Sequence, residues 1–562
     1  MKHFKKTLLG ASLVFILTAC SLNGGGSTID WKRLQNDGSG ISLVSKKVAS
    51  AKLSFDKSSF EDAMKKADDA AVAKKSVYTF SGEFSRVNTM FSNLRDKLTI
   101  ARAKYMADGS QKARDTYNEL YDIYLSFFIW YYPFLLHVRD SSNDIYNAFF
   151  GDMDLQDVKD YIKSFTYNET TKKLDQDITD IQDEQEQKYN EFIKGWRSGS
   201  IKKDDPTYVA YMNDALTRFR SLYSKGGEYA AVFGFKNYFD YVYKQYYNRD
   251  YKIDFVDTYT PLVDEYIIPA IKYYDANVDK SILNNPTKKD IYTKYFSSNI
   301  SDSSCFQGDL LDSYVAMMGG DMEKTYNHLK NDGLFVFSND PNSLGTAYVS
   351  SGVEEPLIFF SKDYQNVSTI VHEFGHYFAA YTNGNNSSFP FDIEETHSQA
   401  NEMLFNSYLT TYYKEDANLD VYKYIKDYSV YDMLTGVIAP SAVAQVEAYV
   451  FENLELTNEQ LLEGINTIMN KYDGMVYSAY WATPMVSSTG YYISYVTSGV
   501  GALGAYIKAQ ENFEAAKESY FKLVGYPEES QNIEAIFNYS GFYSPLQEST
   551  FKKFTHENLF SF

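Results

Sequence analysis

The chain has 562 residues, with 54 Lys and Arg against 74 Asp and Glu, which gives a formal net charge of −20. Hydrophobic residues make up 44% and charged residues 23%, an ordinary globular usage that excludes a largely disordered chain. The net negative charge disfavours binding to the phosphate backbone of nucleic acids, so we expect no nucleic-acid partner. Few Pro and Gly beside 52 Tyr and 39 Phe favour a large, mainly helical protein with aromatic packing.

The N-terminal segment has the layout of a secretory signal. A basic start precedes an apolar run from Leu8 to Leu17, which is too short to span a bilayer permanently. Leu-Thr-Ala-Cys at residues 17–20 is similar to the bacterial lipobox, in which the cysteine is lipidated and becomes the first mature residue. A plain signal peptide that contains Cys is the alternative. We expect a signal peptide over residues 1–19, lipidation of Cys20, and an extracytoplasmic body anchored to the cell membrane.

The rest of the chain predicts a tether and two lobes. Residues 20–50 begin with a Gly- and Ser-rich run that favours a flexible tether. Apolar residues at three- and four-residue spacing predict an N-terminal helical lobe over residues 51–204. A break in this periodicity places the second lobe at residues 205–562, where short apolar runs at 335–337 and 348–360 predict a few strands.

The chemical signal is His-Glu-Phe-Gly-His at residues 372–376, an H-E-x-x-H motif. On a helix, positions i and i+4 share one face, so His372 and His376 can direct two imidazoles to one ion. Asn366 offers a capping side chain, and Asn383–Gly384 is a fitting C-terminal stop. Two histidines on an ordinary helix are the alternative, but the chain has only seven His, which favours a zinc site.

A catalytic tetrahedral zinc site needs a third protein ligand and one position open to water. Residues 392–405 predict a second helix with an acidic face. Spacing alone does not choose among Glu394, Glu395 and His397 as the third ligand. Glu402 lies two turns beyond Glu395 on the same stripe.

The H-E-x-x-H motif, together with Glu395, Ser398 and Glu402 in a Glu-x-x-Ser-x-x-x-Glu pattern, resembles the oligoendopeptidase F and thimet oligopeptidase family of zinc metallopeptidases. The resemblance implies that Glu395 is the third ligand and that Glu402 accepts a hydrogen bond from a ligand imidazole. It implies a structural role for His397. The implied fold is mainly α-helical, a closed two-lobed shell with a deep central channel and a small β-sheet at the active-site cleft, with the second lobe as the catalytic lobe.

Two later segments extend the resemblance. Gly345-Thr346-Ala347-Tyr348, ahead of the run 356–360, looks like the family's substrate-edge strand, which implies that Gly345 and Ala347 contact substrate. Tyr491-Tyr492-Ile493-Ser494-Tyr495 looks like its late tyrosine motif. Tyr491 then serves in substrate binding, whereas Tyr492 and Tyr495 are the favoured hydroxyl donors to the oxyanion.

Two departures from the family accompany these matches. Relatives usually carry a histidine about ten residues before the last tyrosine, but this chain has Thr-Pro-Met-Val-Ser-Ser at residues 483–488 and no His between His397 and His556. We therefore expect tyrosine to stabilise the oxyanion without that histidine. Residue 377 is Tyr, where the family often has a small residue. Neither change affects the three metal ligands.

The resulting prediction is a zinc-dependent metalloendopeptidase with one Zn²⁺ per chain. Zinc lowers the pKa of its water to about 7, and Glu373, which is not a ligand, acts as the general base. Short peptides are the expected substrates, because an extended peptide can enter a channel and pair with an edge strand. We expect a monomer. The alternative is a surface lipoprotein that binds peptides or other solutes without cleaving them.

Overall fold

The computed structural model describes residues 42–562 apart from a set of short gaps, which are 204, 297–308, 339, 341–346, 352, 362, 363, 365, 385–388 and 528–531. The predicted lipidation site Cys20 and the predicted substrate contact Gly345 lie outside the described residues. The predictions for both therefore remain predictions.

The chain forms two compact units, each built from two separate stretches of sequence. Of the described residues, unit 1 comprises those up to 167 together with those from 282 to 388, and unit 2 comprises those from 168 to 281 together with those from 389 to 562. The sequence placed one lobe boundary between residues 204 and 205. In the structure, the helices on either side of that position pack against each other within unit 2, because both contribute apolar side chains to the same core.

Helices dominate the described chain, and the elements below are numbered in chain order. The first stretch of unit 1 contains β1 (Ser42–Val44), α1 (Lys46–Ser50), α2 (Lys57–Val72), α3 (Val77–Asp108), α4 (Gln111–Arg139), α5 (Asn143–Phe150) and α6 (Leu155–Ser164). The first stretch of unit 2 contains α7 (Glu169–Arg197), α8 (Pro206–Val232), α9 (Tyr238–Tyr241), a π-helical segment (Val242–Tyr246), α10 (Phe255–Leu262), a second π-helical segment (Val263–Ile267) and α11 (Ile268–Asn277).

The second half of the chain completes both units. After a 3₁₀ turn at Lys280–Asn284, the second stretch of unit 1 contains α12 (Pro286–Phe296), α13 (Asp309–Met318), α14 (Gly320–Asp332), β2 (Leu334–Ser338), β3 (Ala347–Ser350), β4 (Leu357–Phe360) and α15 (Val367–Asn383). The second stretch of unit 2 contains α16 (Phe391–Tyr412), α17 (Leu419–Glu452), α18 (Asn458–Asn470), a 3₁₀ turn (Tyr480–Ala482), α19 (Pro484–Ser487), α20 (Ile493–Glu511), α21 (Phe513–Val524), α22 (Ile533–Ser540), α23 (Glu548–Phe551) and α24 (His556–Leu559).

Aromatic rings form the core of the N-terminal helices in unit 1. The Phe91 ring of α3 stacks on the Phe127 ring of α4 with their centroids 3.9 Å apart, and Phe60 of α2 stacks on the same Phe127 ring. Phe134 continues the cluster toward α5. Side chains at helical spacing on three consecutive helices therefore meet in one buried layer, as the periodicity of this region predicts.

Unit 1 also contains a small sheet, with the strand order β1-β2-β4-β3 in the described residues. β1 pairs with β2 in the antiparallel direction, β2 with β4 in the parallel direction, and β4 with β3 in the antiparallel direction. β4 is fully buried, whereas β3 lies at the edge of the sheet. α15 packs on β3 and β4, so the sheet supports the helix that carries the H-E-x-x-H motif.

Unit 2 is organised around α16, α17 and α20, which pack against one another. Among the described helices, α17 is the one that is long and apolar enough to cross a membrane by length and composition. However, 72% of its most apolar window is buried inside the structure. This is the burial expected of the central helix of a core.

We predict that Phe127→Ala lowers the free energy of unfolding by about 3–5 kcal/mol, because it removes a fully buried ring that several other rings contact. Urea denaturation followed by circular dichroism measures this loss. Ile129→Ala, at a 39% exposed position of the same helix, is the matched control and should cost less than about 1 kcal/mol. Equal losses in the two variants would contradict the placement of the core.

Candidate active site

The helix that carries the H-E-x-x-H motif is defined by local signals. The Asn366 side chain accepts a hydrogen bond of 2.6 Å from the Thr369 N–H and caps α15 at its N-terminus. Gly384 follows its last residue with φ of +57°, a conformation that glycine adopts at low cost. The predicted cap, helix and stop are therefore all present.

The two histidines of the motif lie side by side on α15. The rings of His372 and His376 have centroids 5.0 Å apart and are inclined at 76° to each other. His372 is buried and His376 is half-buried. Glu373, between them in the motif, is fully buried. The helical spacing thus presents both imidazoles together, as the sequence predicts.

Glu395 of α16 completes a candidate metal cluster with these histidines. One ligand atom from each of His372, His376 and Glu395 lies within 4.8 Å of the others. In the part of the chain that the structure describes, the cluster includes neither Glu394 nor His397. Two imidazole nitrogens and one carboxylate oxygen are donors that suit zinc, so the residues present fit that metal.

Two tyrosine hydroxyls meet the Glu395 carboxylate. The Tyr491 and Tyr495 hydroxyls are hydrogen-bonded to each other at 2.7 Å, and each oxygen lies 3.4 Å from Glu395 Oε1. One hydroxyl therefore donates to the other, which donates to the carboxylate. Tyr491 is buried and Tyr495 is half-buried. The late tyrosine motif therefore supplies two phenol groups beside the predicted third ligand.

The other predicted site residues have the following positions. Tyr492 contacts Tyr491 and Tyr495 through its ring, with centroids 5.4 and 6.1 Å away. Glu402 is half-buried on α16, and its hydrogen bond to a ligand imidazole stays a prediction. Ala347 is buried at the start of the edge strand β3.

A buried arginine, which the sequence did not single out, connects residues 490–495, the segment that contains Tyr491 and Tyr495, to α16. Arg249 donates to Asp392 Oδ2 at 3.0 Å, to the Gly490 carbonyl at 2.7 Å and to Ser494 Oγ at 2.6 Å. Both charged side chains are buried, with exposures of 0% and 1%. Asp392 lies one helical turn before Glu395, so this ion pair fixes the start of the helix that carries the carboxylate ligand.

Glu447 of α17 forms a hydrogen bond with the backbone of Gly490, the residue whose carbonyl accepts from Arg249. Its Oε1 accepts a hydrogen bond of 2.9 Å from the Gly490 N–H. The side chain is fully buried, and its Oε2 has no hydrogen-bond partner among the described residues. Burial raises the pKa of Glu447 to about 8. The group is therefore protonated at neutral pH, which reduces the cost of its burial.

Packed side chains occupy residues 483–488, the segment in which the sequence departs from the family pattern that it resembles. Met485 and Val486 are fully buried, and the hydroxyl of Thr483 lies 2.7 Å from that of Tyr211. Tyr377, the other departure from the pattern that the sequence resembles, is also fully buried. Burial raises the pKa of Tyr377 well above its usual value, so its hydroxyl stays protonated. Both departures are accommodated by packing.

Known proteins match this chain in structure and not in sequence. No family model matches it, and no curated protein matches it. PZ peptidase A, solved with inhibitor 2, matches with a TM-score of 0.62 at 14% identity, over 91% of this chain and 98% of that chain. A structure from Bacillus anthracis strain Ames that is assigned as an oligoendopeptidase F matches with a TM-score of 0.58 at 15% identity, over 89% and 95%.

A third structure, the oligoendopeptidase F of Enterococcus faecium, matches with a TM-score of 0.51 at 13% identity, over 90% of this chain and 96% of that chain. At these identities the likeness shows the fold. The chain therefore has the helical fold of the solved oligoendopeptidases, which confirms the predicted fold class and the structural side of the predicted resemblance.

We predict that the contribution of Glu447 to the free energy of unfolding falls as the pH rises from about 4.5 to about 8. Between the ordinary pKa of 4.5 and the raised value of about 8, the folded chain keeps this proton while the unfolded chain releases it. The stabilising contribution is therefore fully present below pH 4.5 and is lost as the pH passes 8. Glu447→Gln cannot release the proton and should remove this dependence.

Urea midpoints for the native chain and Glu447→Gln, measured from about pH 5 to pH 8.5, test this prediction. The advantage of the variant should grow with pH. A difference between the two proteins that is constant over this range would show that Glu447 does not titrate there.

Proposed function

We propose that this chain is a zinc-dependent metallopeptidase that hydrolyses short peptides. The convergence of ligand atoms from His372, His376 and Glu395 within 4.8 Å is the observation that carries the proposal. The fold supports it, since the structural neighbours are named as peptidases.

The three cluster residues would hold one zinc ion per chain. Bound there, zinc would lower the pKa of a water molecule to about 7 and polarise the scissile carbonyl. Glu373 is the proposed general base, because its fully buried carboxylate lies in the motif between the two ligand histidines. This carboxylate accepts a proton from the attacking water and passes it to the leaving amine.

Tyrosine hydroxyls are the proposed donors to the oxyanion that develops on the scissile carbonyl. Tyr495 was favoured from the sequence, and its hydroxyl belongs to the pair beside Glu395. Tyr491 contributes the other hydroxyl of that pair. Tyr492 stays a sequence-based candidate for the same role.

Substrate class and location are further parts of the proposal. An extended peptide can add to the edge of a sheet, and β3, which begins at Ala347, is an edge strand of the described sheet.

Lipidation at Cys20 would attach a monomeric enzyme to the outer face of the cell membrane. Membrane fractionation of the native chain and Cys20→Ser tests the anchor, because only the variant should be released as a soluble protein.

We predict that Glu373→Gln lowers kcat for peptide cleavage by about 10²–10⁴-fold while zinc binding is retained, because the amide cannot accept the proton of the attacking water. Mass spectrometry of a mixed peptide library measures cleavage, and elemental analysis measures the metal. Glu394→Gln, at the acidic position beside the third ligand, is the control and should cleave at the native rate.

Metal removal should abolish cleavage, and added Zn²⁺ should restore it. Glu395→Gln should lower zinc stoichiometry below one per chain, because an amide oxygen is a weaker ligand than a carboxylate. Library peptides that remain intact with a fully zinc-loaded native chain would overturn the enzymatic proposal. They would favour the alternative, a lipoprotein that binds peptides without cleaving them.

A further inference from the structure

The turn that leads into the tyrosine segment, here residues 490–495, is held by buried groups on both of its backbone faces. Gly490 has φ of +73°. Its N–H donates to Glu447, and its carbonyl accepts from Arg249. A Cβ at this position would lie 3.1 Å from the Tyr243 ring, so the turn is tightly enclosed as well as bonded.

Arg249 distributes its donors over several partners in the segment. Besides the Gly490 carbonyl, it reaches the carbonyl of Tyr491 at 3.4 Å and the hydroxyl of Ser494 at 2.6 Å. Its guanidinium also lies over the rings of Tyr243 and Tyr247, 4.5 and 4.4 Å from their centroids. Packing and hydrogen bonds therefore fix the plane of this side chain.

Asp392 connects the same network to α16. Its carboxylate accepts from Arg249, from Ser494 at 3.0 Å, from Tyr251 at 2.5 Å and from the Thr497 hydroxyl. Ser494 and Thr497 belong to α20, the helix that carries Tyr495. One carboxylate thus fixes α20 against the first turn of α16, one turn from Glu395.

The backbone before Arg249 is also unusual. A π-helical segment ends at Tyr246, and Asn248 has φ of +55°, a value uncommon for a residue with a side chain. The Arg249 N–H donates to the Tyr243 carbonyl at 2.9 Å. Irregular helical turns and left-handed residues of this kind occur frequently at functional sites, because they place a neighbouring side chain.

We infer that Arg249 is a positioning residue that, with Glu447, holds the Tyr491 and Tyr495 hydroxyls beside Glu395 for the peptidase reaction. The catalytic part of this inference rests on the proposed function. Arg249 does not itself touch the reacting groups in the described structure, and it acts through the tyrosine segment and Asp392. A lysine cannot replace it, since one ammonium group cannot reach all of these acceptors in a fixed plane.

Hydrogen exchange of the full chain, read by mass spectrometry, tests the positioning without any substrate. Arg249→Met should raise exchange in residues 489–496 by at least about tenfold, and Arg249→Lys should not restore protection. Arg220→Met is the matched control, because Arg220 also donates to two backbone carbonyls of unit 2, those of Leu454 and Leu456, which lie elsewhere in the sequence. This control should leave exchange in residues 489–496 unchanged.

Glu447→Leu is the second variant, because it removes the acceptor of the Gly490 N–H and leaves no unpaired charge. It should raise exchange in the same residues even if Arg249→Met does not fold. Native-like protection of residues 489–496 in every variant that folds would overturn the positioning role. Failure of both variants to fold would overturn it in favour of a purely structural role.

Peptide kinetics then test the link to the reaction. Arg249→Met should lower kcat by about 10–100-fold with KM changed less than about threefold, whereas Arg220→Met should leave both unchanged. In a Tyr495→Phe background, Arg249→Met should lower kcat by less than about a further threefold. The reason is that Tyr495→Phe has already removed the hydroxyl that Arg249 positions. Effects that multiply would overturn the catalytic link.

If the native chain cleaves no peptide, the proposed function fails, but the exchange measurement still decides the positioning. If the native chain cleaves peptides and exchange is unaltered in the variants, the proposed function stands and this inference fails. The two failures are therefore distinguishable.

Discussion

The buried ion pair of Arg249 and Asp392 is the interaction on which the geometry of unit 2 around Glu395 depends. Two charges removed from water are stable only when their remaining donors and acceptors are bonded, and here the surrounding hydroxyls and carbonyls bond both groups. Removal of one partner from such a pair costs about 3–5 kcal/mol, because it strands the other charge. The pair therefore allows little variation in the register of α16 against α20. Because Tyr495 belongs to α20 and Tyr491 lies just before its first turn, the positions of their hydroxyls are fixed with that register.

Local periodicity was enough to predict the helix that carries His372 and His376, because its cap, its apolar face and its stop are all short-range signals. The choice of Glu395 needed the resemblance to a known family, since neighbouring residues of the same helix offered equally suitable ligand atoms. Arg249 could not be predicted, because its partners lie far along the chain and nothing in its own neighbourhood marks it as buried. The same limit applies to the sheet, where Val44 pairs with Val336.

Two tyrosine hydroxyls, those of Tyr491 and Tyr495, lie beside the candidate ligand Glu395. Tyr491 and Tyr495 lie four residues apart around the start of α20, so a single segment of unit 2 brings both hydroxyls to the Glu395 carboxylate. Met485 and Val486, in the segment that precedes these tyrosines, are fully buried, so that segment packs into the core of unit 2.

The split of each compact unit into two stretches of sequence has a consequence for biogenesis. The aromatic layer of α2 to α6 draws only on residues between 53 and 165, so it can collapse as soon as this part of the chain has left the ribosome or the export channel. β1 must wait for residues near 336 before it finds its partner strand. The sheet of unit 1 can therefore be completed only after more than half of the chain has been made, whereas the aromatic layer needs only its first part.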